Sequence, residues 1–209
     1  MKSVKSALLL AVLASAFASC SNDDDTNNEV KNGLEGNYTF VAMKADNHVE
    51  LEYHYAANGD VIKTISTYDY DAKNIAGTIT IDPTKFYSNK FKYTIETTLL
   101  GATYTNGVQT GYSNMPITMD VPEASSTSDY KLIGTDSIYL SGGFVTAPEM
   151  GDEPVEATPS GAKYKWAGDT LVITTEVRQL DTTVTGEPGM TVTEYTNNYA
   201  KVIMRFKKN

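Results

Sequence analysis

Beyond residue 32 the chain alternates apolar and polar positions one for one. Phe91, Tyr93, Ile95, Thr97 and Leu99 fall on one face of an extended segment, with Lys90, Lys92, Thr94, Glu96 and Thr98 on the other. Successive strand side chains point to opposite faces, so this pattern predicts a half-buried antiparallel strand with one dry face. Ala200, Val202, Met204 and Phe206 against Lys201, Arg205 and Lys207 give a second strand. Leu171, Ile173, Thr175 and Val177 against Thr174, Glu176 and Arg178 give a third, and Leu51, Tyr53 and Tyr55 against Glu50, Glu52 and His54 a fourth. Ile79 and Ile81 mark a short strand closed by Asp82-Pro83. No convincing helical spacing of apolar residues occurs past residue 32.

Turn chemistry separates these runs. Asn58-Gly59-Asp60 divides strands at 48–56 and 61–70, and Asn106-Gly107 divides strands near 91–105 and 108–119. Asn-Gly tolerates positive φ and is a strong hairpin signal. Gly168-Asp169 and Gly186-Glu187-Pro188-Gly189 delimit strands at 162–167, 170–184 and 190–197. The expectation is an all-β fold of about eight to ten antiparallel strands in up-and-down order, a single barrel or, alternatively, a β-sandwich. Two stretches interrupt it. Residues 121–131 are rich in Ser and Thr and read as a loop. Residues 141–161 carry Gly142, Gly143, Pro148, Gly151, Pro154, Pro159 and Gly161, and read as a long loop or a lid.

The first 32 residues follow a different logic. Lys2 and Lys5 precede an apolar run from Leu8 to Leu13, then small residues, then Cys20, the single cysteine. The run falls short of the roughly 20 apolar residues needed to span a bilayer, and it has the flanks of a secretion signal. The stretch ending Phe17-Ala18-Ser19-Cys20 resembles a bacterial lipobox, with Phe17 where Leu is usual. That resemblance implies removal of residues 1–19 and acylation of Cys20, with each buried methylene contributing about 0.8 kcal/mol of membrane affinity. Ser21-Asn22-Asp23-Asp24-Asp25 looks like the acidic tether of surface-exposed lipoproteins. The expected organisation is a signal peptide at 1–19, lipidated Cys20 with a flexible tether over 20–32, and one domain over 33–209. The expected address is the outer membrane, with the membrane contacted through the lipid; the tether favours the cell-surface side, and the side itself is left open.

Charge narrows the partners. Removing 1–19 takes away two lysines and no acid, so the formal charge goes from −9 to −11. Such a surface is repelled by phosphate backbones, so no nucleic acid is expected as a partner. With one cysteine there is no intrachain disulfide, and the fold must rest on packing and hydrogen bonds.

Leu34-Glu35-Gly36-Asn37-Tyr38-Thr39-Phe40 resembles the first-strand motif of lipocalin-like domains, Gly-x-Trp followed by alternating apolar residues, with Tyr38 in the place of Trp. Lys165 to Ile173 looks like the late hairpin of such domains in bacterial lipoproteins. The resemblance spans residues 33–209 in strand order. It implies a barrel closed at one end by an aromatic ring, with Arg205 from the last strand packed over Tyr38 as a cation–π pair. Tyr53, Phe91, Tyr93 and Ile95 then become candidates to line an inward apolar cavity, or to fill the core if the barrel is solid.

The catalytic inventory is thin. His48 and His54 are the two histidines, and six residues of strand separate them by about 20 Å. Glu52 and His54 share a face, but two ligands fall short of a metal site. Asp69-Tyr70-Asp71 with Asn74 lacks the glycine and the distal Glu of a calcium loop. No nucleophile elbow or phosphate-cradling loop is present. No catalytic residue, metal or cofactor is expected. The leading expectation is a non-enzymatic module binding a small apolar or mixed ligand in the barrel. The alternative is a protein- or glycan-interaction module (an adhesin, inhibitor or envelope subunit) with a solid core. An enzyme ranks third. Ligand identity and oligomeric state are left open.

Overall fold

Alternation and turn chemistry produce nine strands among the described residues. The computed structural model describes residues 33–142 and 159–209. Cys20, the segments 1–19 and 20–32, and most of the 141–161 stretch lie outside those residues. The strands are β1 (Gly36–Tyr55), β2 (Val61–Asp71), β3 (Lys73–Ile81), β4 (Lys85–Thr105), β5 (Val108–Ile133), β6 (Ser137–Leu140), β7 (Ser160–Ala167), β8 (Thr170–Thr185) and β9 (Val192–Lys208). All neighbours pair antiparallel, in one sheet that closes on itself through β1 and β9. The expected all-β antiparallel barrel is the architecture observed.

The ring has eight places, because β2 and β3 share one. Between β1 and β4, β3 fills the slot at the end of the molecule where Gly36–Thr39 pair with Thr78–Ile81. Farther along the same slot, β2 pairs with Lys44–His54 of β1 and with Leu100–Thr105 of β4. The two lie end to end, and Ala72 between them donates its N–H to the Met43 carbonyl at 2.8 Å.

The other side of the ring is much shorter. β6 and β7 pair with each other, but β6 reaches only residues 130–133 of β5, and β7 only residues 170–174 of β8. The barrel therefore closes at one end alone. Beyond it, the strand order β5-β4-β2-β1-β9-β8 continues as a six-stranded open sheet. From Ala45 to Tyr55, ten residues at about 3.3 Å each carry this sheet roughly 30 Å past the barrel.

Inside the barrel the inward positions are aromatic. Phe40 stacks on Phe91 at 4.8 Å between ring centroids and on Phe206 at 5.4 Å, and it meets Tyr93 edge-on at 6.5 Å. Phe86 and Tyr130 form a second edge-on pair at 4.8 Å. Ile79, Ile81, Ile138, Leu140, Leu171 and Ile173 complete the layer around them, all essentially fully buried. Burying one such side chain stabilises by about 1.5–3 kcal/mol, and a well-oriented ring pair adds about 0.5–1.5. Gly77 makes room for this stack. Its φ is +124°, and a Cβ there would sit 2.5 Å from Phe91 Cδ1 and 2.9 Å from Phe91 Cα. The ladder to β4 is irregular around this residue, with register shifts on β3 itself between Lys73 and Ala76 and between Ala76 and Thr78.

Residues 121–131, expected as a loop, are strand. β5 runs through them without a break. The hydroxyls that signalled a loop satisfy one another and the backbone. Ser88 Oγ and Ser126 Oγ are 2.8 Å apart, the Ser126 N–H donates to Ser88 Oγ at 3.0 Å, and Ser128 Oγ donates to the Gly142 carbonyl at 2.7 Å. A small polar side chain with its hydrogen bonds made can sit inside a barrel wall. Val121 and Tyr130 supply the apolar inward positions on either side.

Candidate functional site

The four residues expected to line one cavity separate into two places. Phe91, Tyr93 and Ile95 are buried in the barrel core on β4. Tyr53 shares their inward-facing side of the sheet by alternation, yet it sits eight residues past the buried Ala45, half-buried on the projecting sheet. Periodicity assigns a face and leaves height along the strand undetermined, so Tyr53 does not join the other three. Burial pushes the Tyr93 phenol up to about 12 and raises that of Tyr70 further.

The closing pair is also different. Tyr38 is fully buried and donates its hydroxyl to the Leu34 carbonyl at 2.6 Å. In the ladder it stands opposite Lys208, on the same face as Met204 and Phe206. Arg205 is on the opposite face, exposed, and paired with Ala42 and Val172. The expected Tyr38–Arg205 stack is therefore corrected by strand alternation. At this end the Trp166 ring lies 6.1 Å from that of Tyr38, and Lys208 Nζ lies 5.8 Å over Trp166. Trp166 was the signal available in the sequence for this role, as the single Trp in the chain.

The projecting sheet has two different faces. One continues the inward side of the barrel and carries Val49, Leu51, Tyr53, Ile62, Met115 and Val192. The other carries a ladder of charge. Lys63 pairs with Glu50 and lies 3.7 Å from Glu52, whose other oxygen is 2.6 Å from His54 Nε2. The His54 hydrogen bond, then Lys63, holds the Glu52 carboxyl below its usual range, and Glu50 raises Lys63. His54 packs edge-on against Tyr195 at 4.9 Å, and Lys201 reaches Glu176 at 2.7 Å. Side chains of β1, β2 and β9 on both faces are half-buried by their own neighbours, which is the exposure of a single layer.

The tip of this layer is tied together by its turns. Asn106 N–H donates to the Val61 carbonyl and Val61 N–H to Asn106 Oδ1, both at 2.8 Å. Asn106 Nδ2 reaches Asp60 Oδ1 at 2.9 Å, and Ala56 N–H donates to the Thr191 carbonyl at 2.9 Å. Three hairpin turns are thus held as one edge. On the flanks, among the described residues, β5 over 108–127 and β8 over 175–185 are paired on one side only. Val108, Tyr112, Met115, Leu180 and Val184 are each more than half exposed on these two strands.

Beyond the Glu50–Lys63–Glu52–His54 ladder, the carboxylates of Glu96, Glu176 and Glu194 pair singly. Glu96 pairs with Lys73, Glu176 with Lys201, and Glu194 Oε1 accepts from Thr196 Oγ1 at 3.4 Å. Among the described residues no group of three or more His, Cys, Asp or Glu could hold a metal ion. A cleft of about 380 Å³ opens where β7 leaves β8, lined by Ile133, Tyr139, Lys163 and Glu176 among others. What the alternation pattern did not disclose is that five strands, β1, β4, β5, β8 and β9, outrun the barrel. No protein-family model, curated protein or solved structure matches the chain.

Proposed function

We propose that this protein is an exported, non-enzymatic interaction module, anchored in the outer membrane through acylated Cys20, whose binding surface is the projecting sheet. The barrel acts as the stand and the sheet as the contact surface for another protein. One observation carries this reading: strands of 16 to 26 residues extend well past a barrel whose inward positions are occupied by stacked aromatic rings. Evolution of a carrier would be expected to keep the interior open, whereas here Phe40, Phe91 and Phe206 pack on one another. The likeness to lipocalin-like domains is retained as a proposal about descent, resting on the Gly36-Asn37-Tyr38 start and the buried ring at the barrel end.

Native mass spectrometry of the protein purified from its own host tests the choice, with denatured spectra as reference. The module reading expects the polypeptide mass or a multiple of it. A reproducible small-molecule mass lost on denaturation would return the assignment to a carrier with its ligand in the barrel.

A further inference from the structure

The two open edges of the projecting sheet are not equivalent. β5 carries Pro116 and Pro122 within its free stretch. Proline has no N–H to donate, and edge strands that contain it resist the addition of another strand. β8 has no proline and no glycine anywhere between Thr175 and Thr185. That stretch is bounded on one side by Thr174, already paired with Lys163 of β7, and on the other by the turn at Gly186. Among the described residues it forms an eleven-residue open edge in which Leu180, Val184 and Val177 are 68%, 62% and 50% exposed.

We propose that this edge pairs with the same edge of a second copy, antiparallel about a two-fold axis through Leu180. The inference rests on the reading of the sheet as the interaction surface and names its partner. The sequence of the edge selects the register. A two-fold axis normal to the sheet keeps each face continuous, so it must pass through a residue. Centring on any residue before Leu180 drives the end of the second strand into β7 at Thr174. Centring on Asp181 sets two carboxylates directly opposite, an arrangement that destabilises a ladder. Centring on Leu180 uses all eleven residues. It places Leu180 against itself, Gln179 against Asp181, Val177 against Thr183 and Thr175 against Thr185, with no like charges opposed. The six strands of each copy then join as one continuous sheet, with the two barrels at its far ends.

The test uses residues 20–209 with Cys20→Ser, followed by sedimentation equilibrium up to about 1 mM, where an association is only about 4 kcal/mol in standard free energy. The wild type is expected to form a dimer. Leu180→Lys, which sets two ammonium groups opposite, is expected to weaken it at least tenfold with an unchanged circular dichroism spectrum. Mixing Leu180→Lys with Leu180→Glu protein is expected to restore association as a heterodimer. A wild type that stays monomeric overturns the proposal, as does a dimer indifferent to Leu180→Lys or a mixture that fails to recover. A monomer whose sheet still cross-links to a foreign protein would overturn self-pairing while leaving the interaction reading intact.

Discussion

Replacing Phe91 by Ala separates a filled barrel from a hollow one. The Phe91 ring is 6% exposed, stacks on Phe40 at 4.8 Å and lies 6.0 Å from Phe206. Removing a packed phenylalanine ring leaves a cavity that its neighbours close only in part, and costs about 3–5 kcal/mol. For a domain of this size each kcal/mol lowers the melting temperature by about 2–4 °C, so a fall of about 6–20 °C is expected. Thermal unfolding followed by Trp166 fluorescence reads that fall and urea unfolding the free-energy loss, since the Trp166 ring sits 6.1 Å from Tyr38 at the barrel end. Tyr53→Ala is the reference: a half-buried ring on the projecting sheet should cost about 1 kcal/mol. A Phe91→Ala loss no larger than the Tyr53→Ala loss would mean that Phe91 borders open space, and would refute the packed interior.

Two further outcomes follow from the same geometry. Gly77→Ala should destabilise by about 1–3 kcal/mol in the same urea assay, because φ of +124° is strained for a residue with a Cβ and that Cβ meets Phe91; a neutral result would mean the ladder relaxes freely there. Stability should also fall in alkali. Burial raises the Tyr93 phenol to about 12, and Tyr38, Tyr68 and Tyr70 are raised with it, burial again leading. A phenol whose folded pKa exceeds its unfolded value of about 10 stabilises fully below pH 10, and that contribution is lost as pH rises from about 10 to 12. Urea midpoints should therefore hold from pH 8 to about 10 and drop above it, less steeply in Tyr93→Phe; a flat profile to pH 12 would contradict the burial of these hydroxyls.

How much of this was legible beforehand depends on what each signal measures. Asn58-Gly59, Asn106-Gly107, Gly168-Asp169 and Gly186 to Gly189 all fall in the turns between consecutive strands, because positive φ is a local requirement that the residues themselves declare. The faces of Leu51, Tyr53 and Tyr55 were legible for the same reason. Height along a strand was not. Tyr53 and Tyr93 sit in identical alternating contexts, and only the lengths of β6 and β7 decide which of them is enclosed. Alternation alone already set Arg205 opposite Met204 and Phe206, so its pairing with Tyr38 came from the family likeness and not from the residues. In β8 the apolar positions Val177, Leu180 and Val184 do not share one face. That loss of alternation was the sequence's mark of a strand wet on both sides.

The most direct test of the sheet as the contact surface is site-specific photo-cross-linking in the protein's own host. Benzoylphenylalanine replaces Val184 on β8, Tyr112 on β5 or, as barrel reference, the exposed Val41. Discrete adducts from the two sheet positions, to a second copy or to another protein, and none from Val41 are the expected result. Adducts from Val41 with none from either sheet position would contradict the account.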